Sequence, residues 1–109
     1  MPQAHKVLGN ANPSATTATT LYTVPSATSS VVSSLVVANL SNAAVTYRIS
    51  VRPSGSSQTN AMYLVYDASL PANDTTVLTL GITMAATDVV TVYASTANVA
   101  FNLFGCEIT

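Results

Sequence analysis

The chain has 109 residues, of which 49% are hydrophobic and only 6% are charged, and its formal net charge at pH 7 is −1. This length corresponds to one domain, and the apolar content is too high for a disordered chain. Three basic residues in all cannot form the positive stripe that binds a phosphate backbone, so nucleic acid is excluded as a partner. Few charges also mean weak repulsion between copies, which favours a protein packed in an assembly over a stable secreted-type β domain.

Residues 1–19 are rich in Ala, Thr, Asn and Pro and contain one short apolar pair. We predict that they form an extended N-terminal arm with little regular structure of its own. An unstructured segment that becomes ordered on binding can wrap the surface of a partner. The arm residues expected to make this contact are His5, Lys6, Val7 and Leu8.

From residue 20 onwards, short segments rich in Val, Thr and Tyr follow one another at nearly even spacing, as is typical of β-strands. One segment alternates strictly: Val45, Tyr47, Ile49 and Val51 are predicted to face the core, and Thr46, Arg48, Ser50 and Arg52 to face outwards. Residues 53–60 are predicted to be a flexible loop. The predicted strands cover residues 20–24, 30–40, 44–52, 61–69, 75–80, 89–95 and 99–108.

Seven or eight such strands in residues 20–109 predict an all-β fold, a single antiparallel β-sandwich. A jelly-roll-like topology is favoured over an immunoglobulin-like one. The most apolar segment, Val31–Leu40, is too short and too polar to span a bilayer, so no membrane association is expected.

Asp74 and Asp88 stand fourteen residues apart, and each follows a small-residue turn and precedes a strand pattern. Asp suits such turns because its carboxylate accepts hydrogen bonds from nearby backbone N–H groups, and we predict this structural role for both residues. A glycosidase pair would need a cleft and a substrate platform, and a calcium site would need more oxygen ligands.

His5 and Cys106 are the only histidine and the only cysteine. No internal disulfide can form, and the chain lacks a set of zinc ligands. A Cys–His nucleophile is not expected, because His5 belongs to the predicted mobile arm. The four glycines are scattered and form no phosphate-binding loop. We therefore predict that the protein is not an enzyme and has no catalytic residues, no metal site and no cofactor.

Arg48 and Arg52 share one face of their predicted strand. They either keep this face soluble or form ion pairs with Asp67 or Glu107, within one subunit or across a boundary. Strict alternation places Tyr63 and Tyr66 on opposite faces, so at least one of them is expected near a subunit boundary. Both arginines and both tyrosines are candidate interface residues. Tyr47 is expected in the core, as are Phe101 and Phe104.

Three segments together resemble small virion structural proteins of tailed bacteriophages: "TTLYTVPSATSSVVSSLVVANLSNAAVTYRI", "LPANDTTVLTLGITMAATDVVTVYAST" and "FNLFGCEIT". The resemblance covers residues 19–109. The chain departs from it at Asn73 and Thr87, where glycine is usual before the Asp. Asn tolerates a left-handed backbone well and Thr tolerates it poorly, so the second turn is expected to differ in geometry from the first. The resemblance implies a non-enzymatic, oligomeric subunit, often three-fold, on the outside of a virion assembled in the host cytoplasm.

Two placements compete within this interpretation, and each implies other virion proteins as partners. The first, slightly favoured by the resemblance, is the tail or baseplate-fibre region. The second is the head, where a cement or decoration protein would clamp the major capsid protein. A third hypothesis is a glycan- or receptor-binding adhesin. The chain has no Trp for a glycan platform, but Tyr63 or Tyr66 could serve.

Overall fold

The computed structural model describes residues 3–79 and 81–109. The described residues form nine β-strands and two short 3-10 helices, Pro53–Gly55 and Asn60–Met62, which confirms the all-β prediction. Leu80, predicted to end a strand, and Met1 and Pro2 of the predicted arm lie outside the described residues. The strands are β1 Gln3–Ala11, β2 Thr19–Thr23, β3 Ser29–Asn39, β4 Val45–Arg52, β5 Tyr63–Leu70, β6 Thr75–Leu78, β7 Ile82–Met84, β8 Val89–Ala94 and β9 Val99–Ile108.

The strands form two antiparallel sheets packed as a sandwich. The five-stranded sheet has the order β1-β9-β3, with β6 and β7 both paired to β3. The four-stranded sheet has the order β2-β8-β4-β5. Among the described strands, two consecutive pairs share a sheet, β4 with β5 and β6 with β7, so most connections cross from one sheet to the other. Strands that neighbour each other in space are consequently far apart in the sequence.

The pairing is symmetric about the connection between β4 and β5. Strand β1 pairs with β9, β2 pairs with β8, β3 pairs with β6 and β7, and β4 pairs with β5. The chain is therefore a long antiparallel hairpin in which each strand of the first half meets its mirror-image strand of the second half.

The prediction of an N-terminal arm over residues 1–19 is wrong, and the N-terminal segment belongs to the sandwich. β1 pairs with β9 from Gln3 opposite Ile108 to Ala11 opposite Phe101. An edge strand exposes most of its side chains, so β1 lacks the apolar alternation that marks a half-buried strand. The connection to β2 is also tied down, because the Asn12 side chain donates to the carbonyls of Ala97 and Val99 at 2.9 and 2.8 Å.

Gly9 allows β1 to lie against the opposite sheet. A Cβ atom built on Gly9 would be 2.3 Å from the carbonyl oxygen of Leu21 in β2, closer than any side chain tolerates. The two sheets meet at this corner of the sandwich because position 9 has no side chain.

The core lies between the sheets and is built by alternation along the strands. Val45, Tyr47 and Ile49 are buried as predicted, and the Tyr47 ring meets the ring of Phe101 from the other sheet at a centroid distance of 6.3 Å. Ser50, predicted to face outwards, is also buried, because the following loop covers it and its hydroxyl bonds to Gln58 at 2.6 Å.

Candidate functional site

Asp74 and Asp88 close two turns of the same geometry. In each turn the Asp backbone N–H donates to the carbonyl of the residue three positions earlier, at 3.3 and 3.2 Å. The residue before each Asp has a positive φ, 54° at Asn73 and 70° at Thr87. The second turn was expected to differ because Thr is unsuited to this conformation, and that expectation is wrong: Thr87 adopts it nonetheless.

The two carboxylates are engaged with backbone N–H groups. Asp74 accepts a hydrogen bond from its neighbour Thr75 at 2.8 Å. Asp88 accepts two hydrogen bonds, one on each oxygen: from the backbone N–H of Ser54 at 2.9 Å and from that of Ala85 at 3.0 Å. Asp88 thereby ties the loop after β4 to the turn before β8.

A shallow depression of about 500 Å³ lies on the outer face of the five-stranded sheet. Strand pairing places His5 opposite Cys106 and Cys106 opposite Val31, so three strands contribute one row of side chains. Phe104, expected in the core, is only half-buried and forms part of this surface. We call the surface the β1 depression; it is lined by His5, Lys6, Val31, Ser33, Phe104, Gly105 and Cys106.

The charge of Lys6 beside the β1 depression is compensated. Its ammonium group lies 2.7 Å from Glu107, whose other oxygen accepts a hydrogen bond from the Tyr22 hydroxyl at 2.5 Å. Because the phenol proton goes to the carboxylate, the buried Ser30 hydroxyl donates to the phenol oxygen at 2.7 Å. Lys6 and Tyr22 hold the pKa of Glu107 below its usual value. Burial, together with Glu107, raises the pKa of Tyr22 to about 12.

The other two predicted arm residues have different environments. Val7 is 51% exposed and lies opposite Phe104, so it extends the apolar surface of the β1 depression. Leu8 is half-buried and packs against the core. The four residues assigned to the predicted arm thus belong to one strand, and three of them face or border the same surface.

A second cluster lies on the outer face of the four-stranded sheet, around Arg48. The guanidinium group stands 4.3 Å from the ring centroids of both Tyr66 and Tyr93. It also forms two hydrogen bonds with Asp67, at 2.6 and 3.2 Å. The bond to Arg48 lowers the pKa of Asp67 and raises that of the arginine. Of the two acidic partners considered for the arginines, Asp67 is the one that Arg48 contacts.

Tyr63 and Tyr66 belong to the same cluster, which contradicts their predicted placement on opposite faces. Their rings meet edge to face, 4.9 Å apart. The pairing of β5 with β4 shifts register on both sides of the Ile49–Val65 pair, and each shift interrupts the alternation. With Asn60, the two tyrosines line a depression of about 330 Å³. We call the whole cluster the tyrosine–arginine patch: Arg48, Asn60, Tyr63, Tyr66, Asp67 and Tyr93.

Arg52 has a different role from Arg48, although both lie on β4. It donates to the Thr91 hydroxyl at 3.1 Å and to the carbonyls of Gly55 and Ser56 at 3.4 and 3.2 Å. These bonds hold the loop that follows its own strand, so Arg52 is a structural residue of that loop.

Sequence reasoning did not identify Tyr93, Asn60 or the residues of β3 and β9 that line the β1 depression. Tyr93 could be found only through the register that sets it beside Arg48. Among residues 3–79 and 81–109, no three His, Cys, Asp or Glu side chains come together as a metal site would require. That part of the chain also contains no helix with the length and apolar character needed to cross a membrane.

Comparison of the chain with protein-family models, with curated proteins and with solved structures finds no match.

Proposed function

We propose that the chain is a non-enzymatic structural subunit of a tailed-phage virion that binds neighbouring subunits through the β1 depression. The observation that carries this proposal is an exposed, largely apolar surface with no net charge on the outer face of an otherwise complete sandwich. Val7 and Val31 are 51% and 36% exposed there, and Lys6 is neutralised by Glu107. The motif resemblance to tailed-phage virion proteins supports the same role.

The proposed topology is a jelly roll. A jelly roll is a long antiparallel hairpin rolled into two sheets by Greek-key connections. Mirror-image pairing about the β4–β5 connection and strand orders β1-β9-β3 and β2-β8-β4-β5 suit that description. β6 and β7 both pair with β3, so they count as one interrupted strand and leave eight strands in all.

The proposed occupant of the β1 depression is a second copy of this chain. A net charge of −1 puts little electrostatic cost on bringing copies together. The surface itself is neutral and apolar, so it complements a copy of itself without any unpaired charge. A closed homo-oligomer is therefore proposed: contact of the depression with itself gives a dimer, and a trimer requires the depression to contact a different patch of the neighbouring copy. Because β1 belongs to the sandwich, association uses a preformed surface and needs no arm to fold on binding.

The tail or baseplate-fibre region remains the slightly favoured location on the motif resemblance, with capsid cement as the alternative. Quantitative mass spectrometry of particles purified from the host that expresses the gene separates the two. A few dozen copies or fewer per particle support the tail, and hundreds of copies support the head. Absence of the chain from the particles would contradict both placements.

A further inference from the structure

We propose that Asn60, Tyr63 and Tyr66 form a binding site for a neutral saccharide. This activity goes beyond the structural role and does not depend on it. The site lies on the four-stranded sheet, whereas the proposed subunit contact lies on the outer face of the five-stranded one.

The aromatic platform is held in place before any ligand binds. Tyr66 is 57% exposed, yet its ring is contacted by the Arg48 guanidinium and by Tyr63. Arg48 is itself held by two hydrogen bonds to Asp67 and by the Tyr93 ring. An exposed tyrosine usually loses rotamer freedom on binding, and here the neighbouring contacts have already removed much of that freedom. Preorganisation of this kind favours affinity.

The charges of the patch select against ionic ligands. Among the described residues of the patch, the charged side chains are Arg48 and Asp67, and they pair with each other. An anion finds the guanidinium already bonded to a carboxylate. A quaternary ammonium group, which aromatic cages often bind, would be repelled by the positive charge of the guanidinium beside Tyr66 and Tyr93. A neutral ligand avoids both costs.

The remaining chemistry of the site matches a sugar ring. The C–H face of a saccharide can pack against a tyrosine ring, while its hydroxyls need both donors and acceptors. Two phenol hydroxyls and the carboxamide of Asn60 supply both kinds of group. The depression, about 330 Å³, is at the lower end of the size range of small-molecule sites, which suits one or two sugar units.

The test is to titrate the full chain with a panel of neutral oligosaccharides and to monitor binding by NMR chemical shifts. The panel is built from hexoses, N-acetylhexosamines and deoxyhexoses. Sialylated and sulfated oligosaccharides and choline are the charged comparison. We expect at least one neutral member to bind and to perturb the Asn60 amide. Tyr63→Ala and Tyr66→Ala should each weaken that binding at least about tenfold, the loss typical of an aromatic anchor. Tyr66→Phe, which keeps the ring, should retain most of the affinity.

Two controls separate binding from folding. Asn60→Ala removes a lining residue without touching Arg48 and should weaken binding while leaving the thermal midpoint unchanged. Val77→Ala changes a side chain that is 61% exposed on the other sheet and should bind as the wild type does. The proposal is overturned if no neutral member of the panel binds, if only charged probes bind, or if Tyr63→Ala, Tyr66→Ala and Asn60→Ala all bind as tightly as Val77→Ala does.

Discussion

At the scale of single residues, the Tyr22 side chain joins the two sheets through polar contacts. It lies on β2, and its hydroxyl meets Ser30 on β3 and Glu107 on β9. Tyr22→Phe removes both hydrogen bonds and leaves the fully buried Ser30 hydroxyl without this partner. We expect the free energy of unfolding to fall by about 1–3 kcal/mol in urea titrations at pH 7. A change within experimental error would contradict this role.

The ionisation of the same hydroxyl should make the stability of the protein depend on alkaline pH. The pKa of Tyr22 is raised from 10.0 to about 12, because burial and Glu107 disfavour the phenolate. A group whose pKa is raised on folding contributes stability below its unfolded pKa and loses it as pH rises through the folded value. The wild type should therefore lose stability between pH 10 and 12 more steeply than Tyr22→Phe does. Parallel pH profiles of the thermal midpoint would refute the assignment.

The shared conformation of the two Asp turns can be tested by exchanging the residues that precede the aspartates. Asn suits a positive φ and Thr does not, yet Thr87 has a φ of 70° and Asn73 a φ of 54°. Thr87→Asn should raise the free energy of unfolding by up to about 1 kcal/mol, and Asn73→Thr should lower it by about as much. Thermal denaturation measures both. If both substitutions shift the midpoint in the same direction, the two turns do not share one conformation.

At the scale of elements, β1 differs most from the sequence prediction, because it is a strand paired with β9 and not a free arm. Gly9→Ala would push a Cβ to 2.3 Å from the Leu21 carbonyl, so β1 or β2 must move. We expect a loss of about 2 kcal/mol or more in the free energy of unfolding, since sheet contacts cannot relax locally. Asn10→Ala, at an exposed neighbouring position, should change it by no more than about 0.5 kcal/mol.

A free arm would respond differently. In that case Gly9→Ala and Asn10→Ala would both leave the unfolding curve unchanged, because neither residue would contact the sandwich. The comparison therefore distinguishes a docked strand from an arm without truncating the chain.

The elements also show which parts of the fold the sequence predicts and why. β4 was located because its apolar residues alternate and one face is buried, as Tyr47 and Ile49 illustrate. β1 was missed because an edge strand exposes Lys6 and Val7 and buries little. The patch was only partly predicted, since the contact of Tyr63 with Tyr66 depends on register shifts that alternation does not reveal.

At the scale of the whole molecule, the protein carries few charges, and its symmetric strand pairing gives a sandwich with two distinct outer faces. Arg48 pairs with Asp67 and Lys6 with Glu107, so two of the three basic side chains are compensated within the chain. Long-range repulsion between copies is correspondingly weak, and association should depend little on salt. The face with the β1 depression is proposed to contact other subunits, and the face with the tyrosine–arginine patch is proposed to contact a ligand.

The most direct test of the proposed subunit contact is sedimentation velocity of the wild type, Val31→Asp and Leu40→Asp over a range of concentrations. Val31 lines the β1 depression, whereas Leu40 is 61% exposed outside it. Both substitutions introduce one negative charge, so Leu40→Asp is the matched control for Val31→Asp. We predict that the wild type and Leu40→Asp sediment as a multiple of 11.2 kDa and that folded Val31→Asp sediments as the monomer. A monomeric wild type at every concentration, or assembly unaffected by Val31→Asp, would contradict it.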